Sequence, residues 1–111
     1  MRKYNIKIFS LAENDLDEIV DYLATLSGQA ALRYYDLIME KIGSLATMPK
    51  RCPMAKDTQL RLRGYRTMMV NSYIMFYIIN GNTVEIRRIL YARRQYEALL
   101  QNGTKGLHNE N

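Results

Sequence analysis

The side chains best suited to chemistry in this sequence are arginines, and they cluster in the C-terminal half. Arg61, Arg63 and Arg66 lie close together, and three further cations precede them: Lys50, Arg51 and Lys56. Guanidinium groups bind phosphates and carboxylates through paired, charge-assisted hydrogen bonds. We therefore interpret this stretch as a basic edge that contacts an anionic target. A solvated rim without a partner is the alternative.

A second group of cations follows further along the chain. Arg87 and Arg88 are adjacent, so a regular strand would point them to opposite faces, and only one could join a shared patch unless a bulge intervenes. Arg88 has the same parity as three apolar residues of its strand, which predicts a structurally paired arginine, and Arg87 remains a candidate for binding. Arg93 and Arg94 beside Tyr96 form an aromatic-interleaved basic cluster suited to nucleic acid or an acidic protein segment.

Histidine and cysteine, the usual acid–base and metal-binding side chains, are scarce. The one histidine, His108, lies near the C-terminus, and the one cysteine, Cys52, lies in a proline-containing stretch. A single thiol cannot form an internal disulfide, and one Cys with one His cannot complete a zinc site. We predict neither a metal nor another cofactor and expect Cys52 to be a half-buried loop thiol.

Charge is unevenly distributed along the chain. Residues 1–49 contain five Lys/Arg and seven Asp/Glu, a net charge of −2, whereas residues 50–111 contain eleven and four, a net charge of +7. This asymmetry predicts an anionic partner for the C-terminal half. The longest apolar run, 74–79, is far shorter than the ~20 residues of a membrane span. An N-terminal secretory signal is also missing, so we expect a cytoplasmic protein.

The N-terminal half has the pattern of one strand and two helices. Apolar side chains alternate over residues 4–9, as in a half-buried strand. Ser10 and Glu13 fit a capping box, which predicts a helix that starts there and stops at Gly28. Helical spacing of apolar residues resumes over residues 29–47. The two helical segments are therefore predicted to form an antiparallel hairpin.

The C-terminal half has the pattern of a sheet. Residues 65–70, 73–79 and 83–91 are rich in aromatic and β-branched side chains. A tight turn is predicted at Asn71-Ser72, and Asn80-Gly81 predicts a type I′ hairpin turn. These signals indicate three consecutive antiparallel strands, with the middle strand apolar on both faces.

Length and element order together predict one domain. We expect residues 1–100 to form it, with a short helix over 93–100 and a flexible tail over 101–111. The predicted fold class is α+β, in which an N-terminal strand and a two-helix hairpin pack on an antiparallel sheet.

This order of elements, together with local motifs, resembles the RelE/ParE superfamily of bacterial toxins over residues 4–100. The motifs occur in the following order: Ala12-Glu13-Asn14-Asp15-Leu16-Asp17-Glu18-Ile19, Met48-Pro49, Gly64-Tyr65-Arg66, Tyr73-Ile74-Met75-Phe76-Tyr77 and Arg88-Ile89-Leu90-Tyr91-Ala92-Arg93-Arg94-Gln95-Tyr96. The resemblance implies the fold described above. It also implies a growth-arresting toxin of a type II pair, held inactive by a cognate antitoxin.

Two mechanisms occur in the superfamily that the sequence resembles. RelE-like members cleave mRNA in the ribosomal A site without a metal, and the resemblance to them implies Arg66, Tyr91 and Arg93 as catalytic residues. ParE-like members inhibit DNA gyrase and have no hydrolytic site. Two cations of the RelE-like pattern fall here on Met68 and Ile74. Losing one positioned donor of this kind typically costs ~10²-fold or more in rate.

These departures favour the ParE-like branch, so we expect inhibition of DNA gyrase. Ribosome-dependent mRNA cleavage is the alternative, and a non-toxic module that binds nucleic acid or a protein partner is a second one. The residues expected to bind the target or nucleic acid are Arg61, Arg63, Arg66, Arg87, Arg93, Arg94 and Tyr96.

Overall fold

A strand, a helix hairpin and a three-stranded meander follow one another in the order that the sequence predicts. The computed structural model describes residues 3–92. In chain order its elements are β1 (Asn5–Ile8), α1 (Ser10–Leu26), α2 (Gly28–Ser44), a 3₁₀ turn (Pro49–Arg51), α3 (Thr58–Leu62), β2 (Arg66–Val70), β3 (Tyr73–Asn80) and β4 (Thr83–Tyr91). The helix predicted over 93–100 and the tail predicted over 101–111 lie outside the described residues.

The four strands form one mixed sheet in the order β1-β4-β3-β2. Neighbouring strands of the meander are antiparallel, as predicted, whereas β1 pairs with β4 in parallel. Parallel strands need a long crossover connection. Here α1 and α2 lie between β1 and the meander, so the chain can enter the sheet again with β4 parallel to β1. This arrangement is the predicted α+β fold, with the first strand added to the meander in parallel.

Apolar side chains are buried on both faces of the sheet. On one face the helix hairpin covers a core that includes Leu16, Ile38 and Met75. On the other face α3 and its flanking loops cover a smaller core around Leu60 and Phe76. The central strand β3 is therefore buried on both sides from Tyr73 to Tyr77, as its double apolar parity predicts. None of the helices within residues 3–92 is long and apolar enough to cross a membrane.

Several predicted boundaries differ from the structure by one to three residues. Phe9, not Ser10, is the N-cap residue of α1, and its carbonyl accepts from the Glu13 amide at 3.0 Å. The predicted capping box is therefore wrong. Ser27 rather than Gly28 separates the two helices, because its hydroxyl caps α2 by accepting from the Ala30 amide at 3.2 Å.

The second hairpin turn also differs from the prediction. Strand pairing runs to Asn80 opposite Thr83, so the two-residue loop is Gly81-Asn82 rather than Asn80-Gly81. Gly81 has a φ of +62°, and within residues 3–92 the non-glycine residues with positive φ do not include Asn82. A positive φ at the first loop position alone is typical of a type II′ turn, which prefers glycine there.

Candidate functional site

The predicted basic edge is a loop that runs from Pro49 to Arg66, which we call the basic loop. It contains six Lys or Arg and one Asp, a net charge of +5. The 3₁₀ turn opens it, α3 lies near its end, and Tyr77 of β3 lies beneath it. The Tyr77 hydroxyl donates to the Pro49 carbonyl oxygen at 2.6 Å, and burial raises the pKa of this phenol.

Three arginines of the basic loop donate to main-chain carbonyl oxygens. Arg51 donates to Thr47 at 2.8 Å and also to the Ser44 carbonyl at the end of α2. The guanidinium of Arg61 donates to Lys56 at 2.8 Å. That of Arg66 donates to Cys52 at 2.7 Å and to Lys50 at 3.2 Å. Arg61 and Arg66 thereby satisfy carbonyls within the loop, and Arg51 donates to carbonyls of the segment just before it.

The remaining cations of the basic loop are exposed. Lys50, Lys56 and Arg63 face solvent, and none of their side chains makes a hydrogen bond or ion pair with any residue in the range 3–92. Arg63 belongs to the binding set predicted from sequence, whereas the two lysines were assigned only to the surrounding basic edge. The structure thus divides the predicted patch into arginines that support the loop and three cations that are free to contact another molecule.

Arg87 occupies a bulge in β4. Phe76 pairs with Arg88 and Tyr77 pairs with Ile86, so Arg87 is the extra residue between them. Its guanidinium donates to a Glu85 carboxylate oxygen and to the Tyr65 hydroxyl, each at 3.0 Å. Its side chain is 11% exposed. The predicted binding residue Arg87 is therefore held inside the protein.

Arg88 joins the sheet to α1, which confirms the predicted structural pairing. Its guanidinium donates to the two carboxylate oxygens of Asp15 at 2.7 and 2.9 Å, and these hydrogen bonds raise the pKa of Arg88. The Ile89 amide donates to the same carboxylate at 2.9 Å. Asp15 thereby takes the place of a neighbouring strand, because β1 pairs with β4 only as far as Ile86.

The burial of Asp15 was not predicted from the sequence. The signal was present in the helical register: Ala12, Leu16 and Ile19 are all buried, and position 15 lies on the same stripe. A carboxylate within an apolar stripe needs a hydrogen-bonded cation, and the bulge at Arg87 places Arg88 where it can supply one.

Beside this ion pair lies a cleft of about 570 Å³, which we call the tyrosine cleft. Residues of α1, β3 and β4 line it: Asp15, Glu18, Ile19, Tyr22, Tyr73, Arg88, Ile89, Leu90 and Tyr91. Tyr73 packs edge-to-face against Tyr34 and Tyr91, with ring centroids 6.0 and 5.8 Å apart. Burial, followed by the neighbouring tyrosines, raises the pKa of Tyr73.

Of the predicted catalytic residues, Arg66 and Tyr91 lie within the described range, and the structure does not bring these two together. Tyr91 pairs with Tyr73 and Arg66 pairs with Tyr77, so they lie four residue positions apart along β3, roughly 13 Å. Two further members of the predicted sites, Arg93 and Arg94, lie outside the described residues, as does Tyr96. Residues 3–92 contain no group of three or more His, Cys, Asp or Glu side chains placed to hold a metal.

Met68 and Ile74, where the RelE-like pattern would place cations, are part of the two cores. Met68 packs against the core under the helix hairpin, and Ile74 is buried in the smaller core on the opposite face. A charged side chain at the buried position of Ile74 would be desolvated or would open the core. Both residues that stand in place of the RelE-like cations therefore contribute to the apolar packing of this chain.

Comparison with known proteins identifies the family. A family model described as the ParE toxin of the type II toxin-antitoxin system, parDE, matches residues 6–96. The chain belongs to this ParE toxin family. The match confirms the superfamily expected from sequence and its ParE-like branch. A comparison with curated protein sequences gives no match.

Two solved structures have the fold of this ParE-family chain. A chain of the chromosomal ParDE TA system from P. aeruginosa is 23% identical, with a TM-score of 0.68, and the match covers 80% of this chain and 96% of that one. The toxin-antitoxin complex RelBE2 from Mycobacterium tuberculosis is 22% identical, with a TM-score of 0.55, and the match covers 82% and 93%. These similarities confirm the predicted RelE/ParE-like fold.

Proposed function

We propose that this ParE-family toxin arrests growth by binding and inhibiting DNA gyrase and that it acts in the cytoplasm, where gyrase works. The observation that carries the proposal is that Ile74 is buried in the smaller core and that Met68, partly buried, packs against the core under the helix hairpin. Cleavage of RNA by its 2′-hydroxyl needs cations around the phosphate, a base and an acid. Apolar core residues at both positions favour a protein that works by binding.

The remaining candidates for ribonuclease chemistry support the same proposal. Arg66 donates to the carbonyl oxygens of Lys50 and Cys52, so stabilising a phosphorane would require it to leave these partners. Tyr91 lies roughly 13 Å along the sheet from it. Groups that act on one phosphate must lie within hydrogen-bonding distance of that phosphate, about 3 Å.

The surface that we propose for the target consists of Lys50, Lys56 and Arg63. These side chains are exposed on a loop held in place by Arg51, Arg61, Arg66 and the Tyr77 hydroxyl. A loop that is already ordered loses little conformational entropy on binding. Its cations also attract an anionic surface over a distance of about a Debye length, ~8 Å at physiological salt.

We further propose a cognate antitoxin as the physiological partner. Both similar structures are of toxin–antitoxin assemblies. The exposed cations of the basic loop would pair with carboxylates of an antitoxin segment and so keep the toxin from its target. Co-expression with the product of an adjacent small gene should then abolish growth arrest.

Two assays on the purified chain distinguish the mechanisms. We expect inhibition of gyrase in a DNA supercoiling assay and no ribosome-dependent cuts in primer extension on translated mRNA. Cuts with unaffected gyrase would establish the RelE-like alternative. Induction without growth arrest would instead indicate a non-toxic binding module.

A pair of charge-matched variants tests the surface. Lys56→Gln with Arg63→Gln removes two cations from the basic loop, and Arg33→Gln with Lys41→Gln removes two exposed cations from α2. We expect the first variant to need about tenfold more protein for half-inhibition, since two surface ion pairs contribute about 1.4 kcal/mol together. The second should match the parent chain. If both variants lost inhibition equally, the effect would depend only on net charge, and the proposed surface would be rejected.

A further inference from the structure

Met48, which directly precedes the basic loop, has an unusual main-chain conformation. Its φ of +50° and ψ of +53° lie in the left-handed region, which few residues other than glycine, asparagine and aspartate adopt. A following proline further disfavours helical conformations of the residue before it, and Pro49 follows here. Glycine or asparagine would fit this position with less strain. Met48 is therefore held in a conformation for which its side chain is poorly suited.

Contacts around Met48 maintain this conformation. The Arg51 amide donates to the Met48 carbonyl oxygen at 3.1 Å, and the Arg51 guanidinium donates to the same oxygen at 3.2 Å. Pro49 is buried, and the Tyr77 hydroxyl donates to its carbonyl oxygen. The Met48 side chain itself is 61% exposed and belongs to neither core. Strain at a residue whose side chain adds nothing to the core indicates that the side chain has a function.

Leu62, within the basic loop, is a second exposed apolar side chain. It is the last residue of α3 and is 80% exposed, the highest value among the large apolar residues in the range 3–92. Asp57 caps the start of α3 by accepting from the Leu60 amide, and the Leu60 side chain is buried in the smaller core. Leu62 is therefore held towards solvent by an ordered segment.

Each of these two apolar side chains lies beside an exposed cation. Lys50 is two residues after Met48, and Arg63 directly follows Leu62. Protein interfaces are enriched in methionine and arginine, with apolar side chains at the centre and charged groups at the rim. A nucleic-acid backbone offers phosphates to the cations but no partner to the apolar side chains. The combination favours a protein partner.

We propose that Met48 and Leu62 are apolar contacts of the target-binding surface, and that their partner is a protein surface whose apolar pockets lie beside carboxylates. The pockets take up the methionine and leucine side chains, and the carboxylates pair with Lys50 and Arg63. Charge complementarity supports this partner, because the basic loop has a net charge of +5. The inference rests on the proposed function and specifies that the loop contacts gyrase itself rather than the DNA that gyrase holds.

Binding of the full chain to purified gyrase holoenzyme without DNA tests this contact. Leu62→Ser and Met48→Asn should each weaken binding about tenfold, the effect of one apolar side chain that is buried on binding. Leu32→Ser is the matched control, because Leu32 is 67% exposed on α2, and it should bind as the parent chain does. The loss at Leu62 should be the same at low and at high salt, since salt screens charges.

The Met48→Asn variant also separates binding from folding. Asparagine tolerates the left-handed conformation better than methionine, so we expect a higher urea midpoint for unfolding together with weaker binding. A structural role for the methionine would instead lower stability. A Met48→Asn variant that is less stable than the parent, or that binds equally well, would overturn the role of this residue. Far-UV circular dichroism checks that every variant is folded.

The outcomes distinguish this inference from the proposed function. If the parent chain inhibits gyrase and the Leu62→Ser and Met48→Asn variants inhibit it equally well, the inference is overturned and the proposed function stands. Equal affinity for duplex DNA alone and for the gyrase–DNA complex would assign the surface to nucleic acid and would overturn it as well.

A parent chain that does not inhibit gyrase would reject the proposed function, and growth arrest after induction is then the readout. Leu62→Ser should still relieve the arrest at matched expression, whereas Leu32→Ser should not. Undiminished arrest by Leu62→Ser would overturn the inference.

Discussion

The basic loop and the tyrosine cleft contact different parts of the central strand and use charge in opposite ways. The loop contacts β3 at Tyr77, near its middle, and the cleft contacts β3 at its first residue, Tyr73. The loop is rich in cations, yet three of its arginines donate to main-chain carbonyl oxygens of the loop or of the segment just before it. The cleft has one buried ion pair and leaves aromatic rings and a carboxylate accessible.

This difference shows that the local main chain decides what an arginine does. Prolines and a 3₁₀ turn leave the basic loop with carbonyl groups that lack ladder partners, and nearby guanidinium groups satisfy them. In the cleft the open strand edge leaves the Ile89 amide without a ladder partner. Asp15 accepts from this amide and also from the Arg88 guanidinium. Counting the cations of the basic loop in the sequence therefore overestimates how many of them can bind a target.

The largest effect is expected at the base of the cleft. Asp15→Ala removes both hydrogen bonds to Arg88 and the acceptor for the Ile89 amide, and it leaves a largely buried cation unpaired. We expect a loss of about 3 kcal/mol in the free energy of unfolding, measured by urea denaturation. Glu18→Gln, at an exposed position on the same helix, should change it by less than about 0.5 kcal/mol. A loss for Asp15→Ala as small as that for Glu18→Gln would show that the ion pair adds no stability.

The next effect separates supporting arginines from free cations in the basic loop. Arg66→Ala leaves the carbonyls of Lys50 and Cys52 without their charged donor and should cost about 1–3 kcal/mol in unfolding free energy. Arg63→Ala should stay within about 0.5 kcal/mol of the parent in stability and should weaken target inhibition instead. Urea denaturation and the supercoiling assay measure the two properties. A stability loss at Arg63 that matched the loss at Arg66 would remove the distinction.

Most of the fold could be predicted because hydrophobic periodicity reports which faces are buried. The helix hairpin and the strands of the meander occur where their 3.6-residue and two-residue periods place them. α3 was missed because five residues are too few for a period to show. Its signals were local: Asp57 caps it by accepting from the Leu60 amide at 3.0 Å, and Gly64 follows it with a φ of +90°.

The site was less predictable because its geometry depends on contacts distant in sequence. The bulge at Arg87 shifts strand parity, so Ile86 and Ile89 belong to the core under the helix hairpin whereas Leu90 belongs to the other core. The predicted role of Arg88 is therefore correct, although the regular alternation on which the prediction rested is interrupted by the bulge. Its partner Asp15 lies 73 positions earlier in the chain, beyond any local pattern.

A smaller effect is expected at the contact between the sheet and the basic loop. Tyr77→Phe removes the hydrogen bond to the Pro49 carbonyl oxygen and should cost about 1 kcal/mol in unfolding free energy at pH 8. The pKa of Tyr77 is raised in the folded state, so its stabilising contribution is complete below about pH 10 and decreases as the pH rises further. Urea denaturation at pH 8 and 10.5 should show a smaller alkaline loss for Tyr77→Phe than for the exposed control Tyr35→Phe. An alkaline loss the same size in both variants would contradict the assignment.

The smallest effect is expected at Tyr91, on the wall of the cleft. Tyr91→Phe keeps the ring that packs edge-to-face on Tyr73 and removes only a partly exposed hydroxyl. We expect growth arrest to be unchanged and unfolding free energy to stay within about 0.5 kcal/mol of the parent. A catalytic acid or base would contribute roughly 10²–10⁴-fold to rate, so its loss would abolish toxicity at matched expression. Growth curves after induction decide between these outcomes, because a folded but non-toxic Tyr91→Phe variant would restore the ribonuclease mechanism and with it a catalytic role for the cleft.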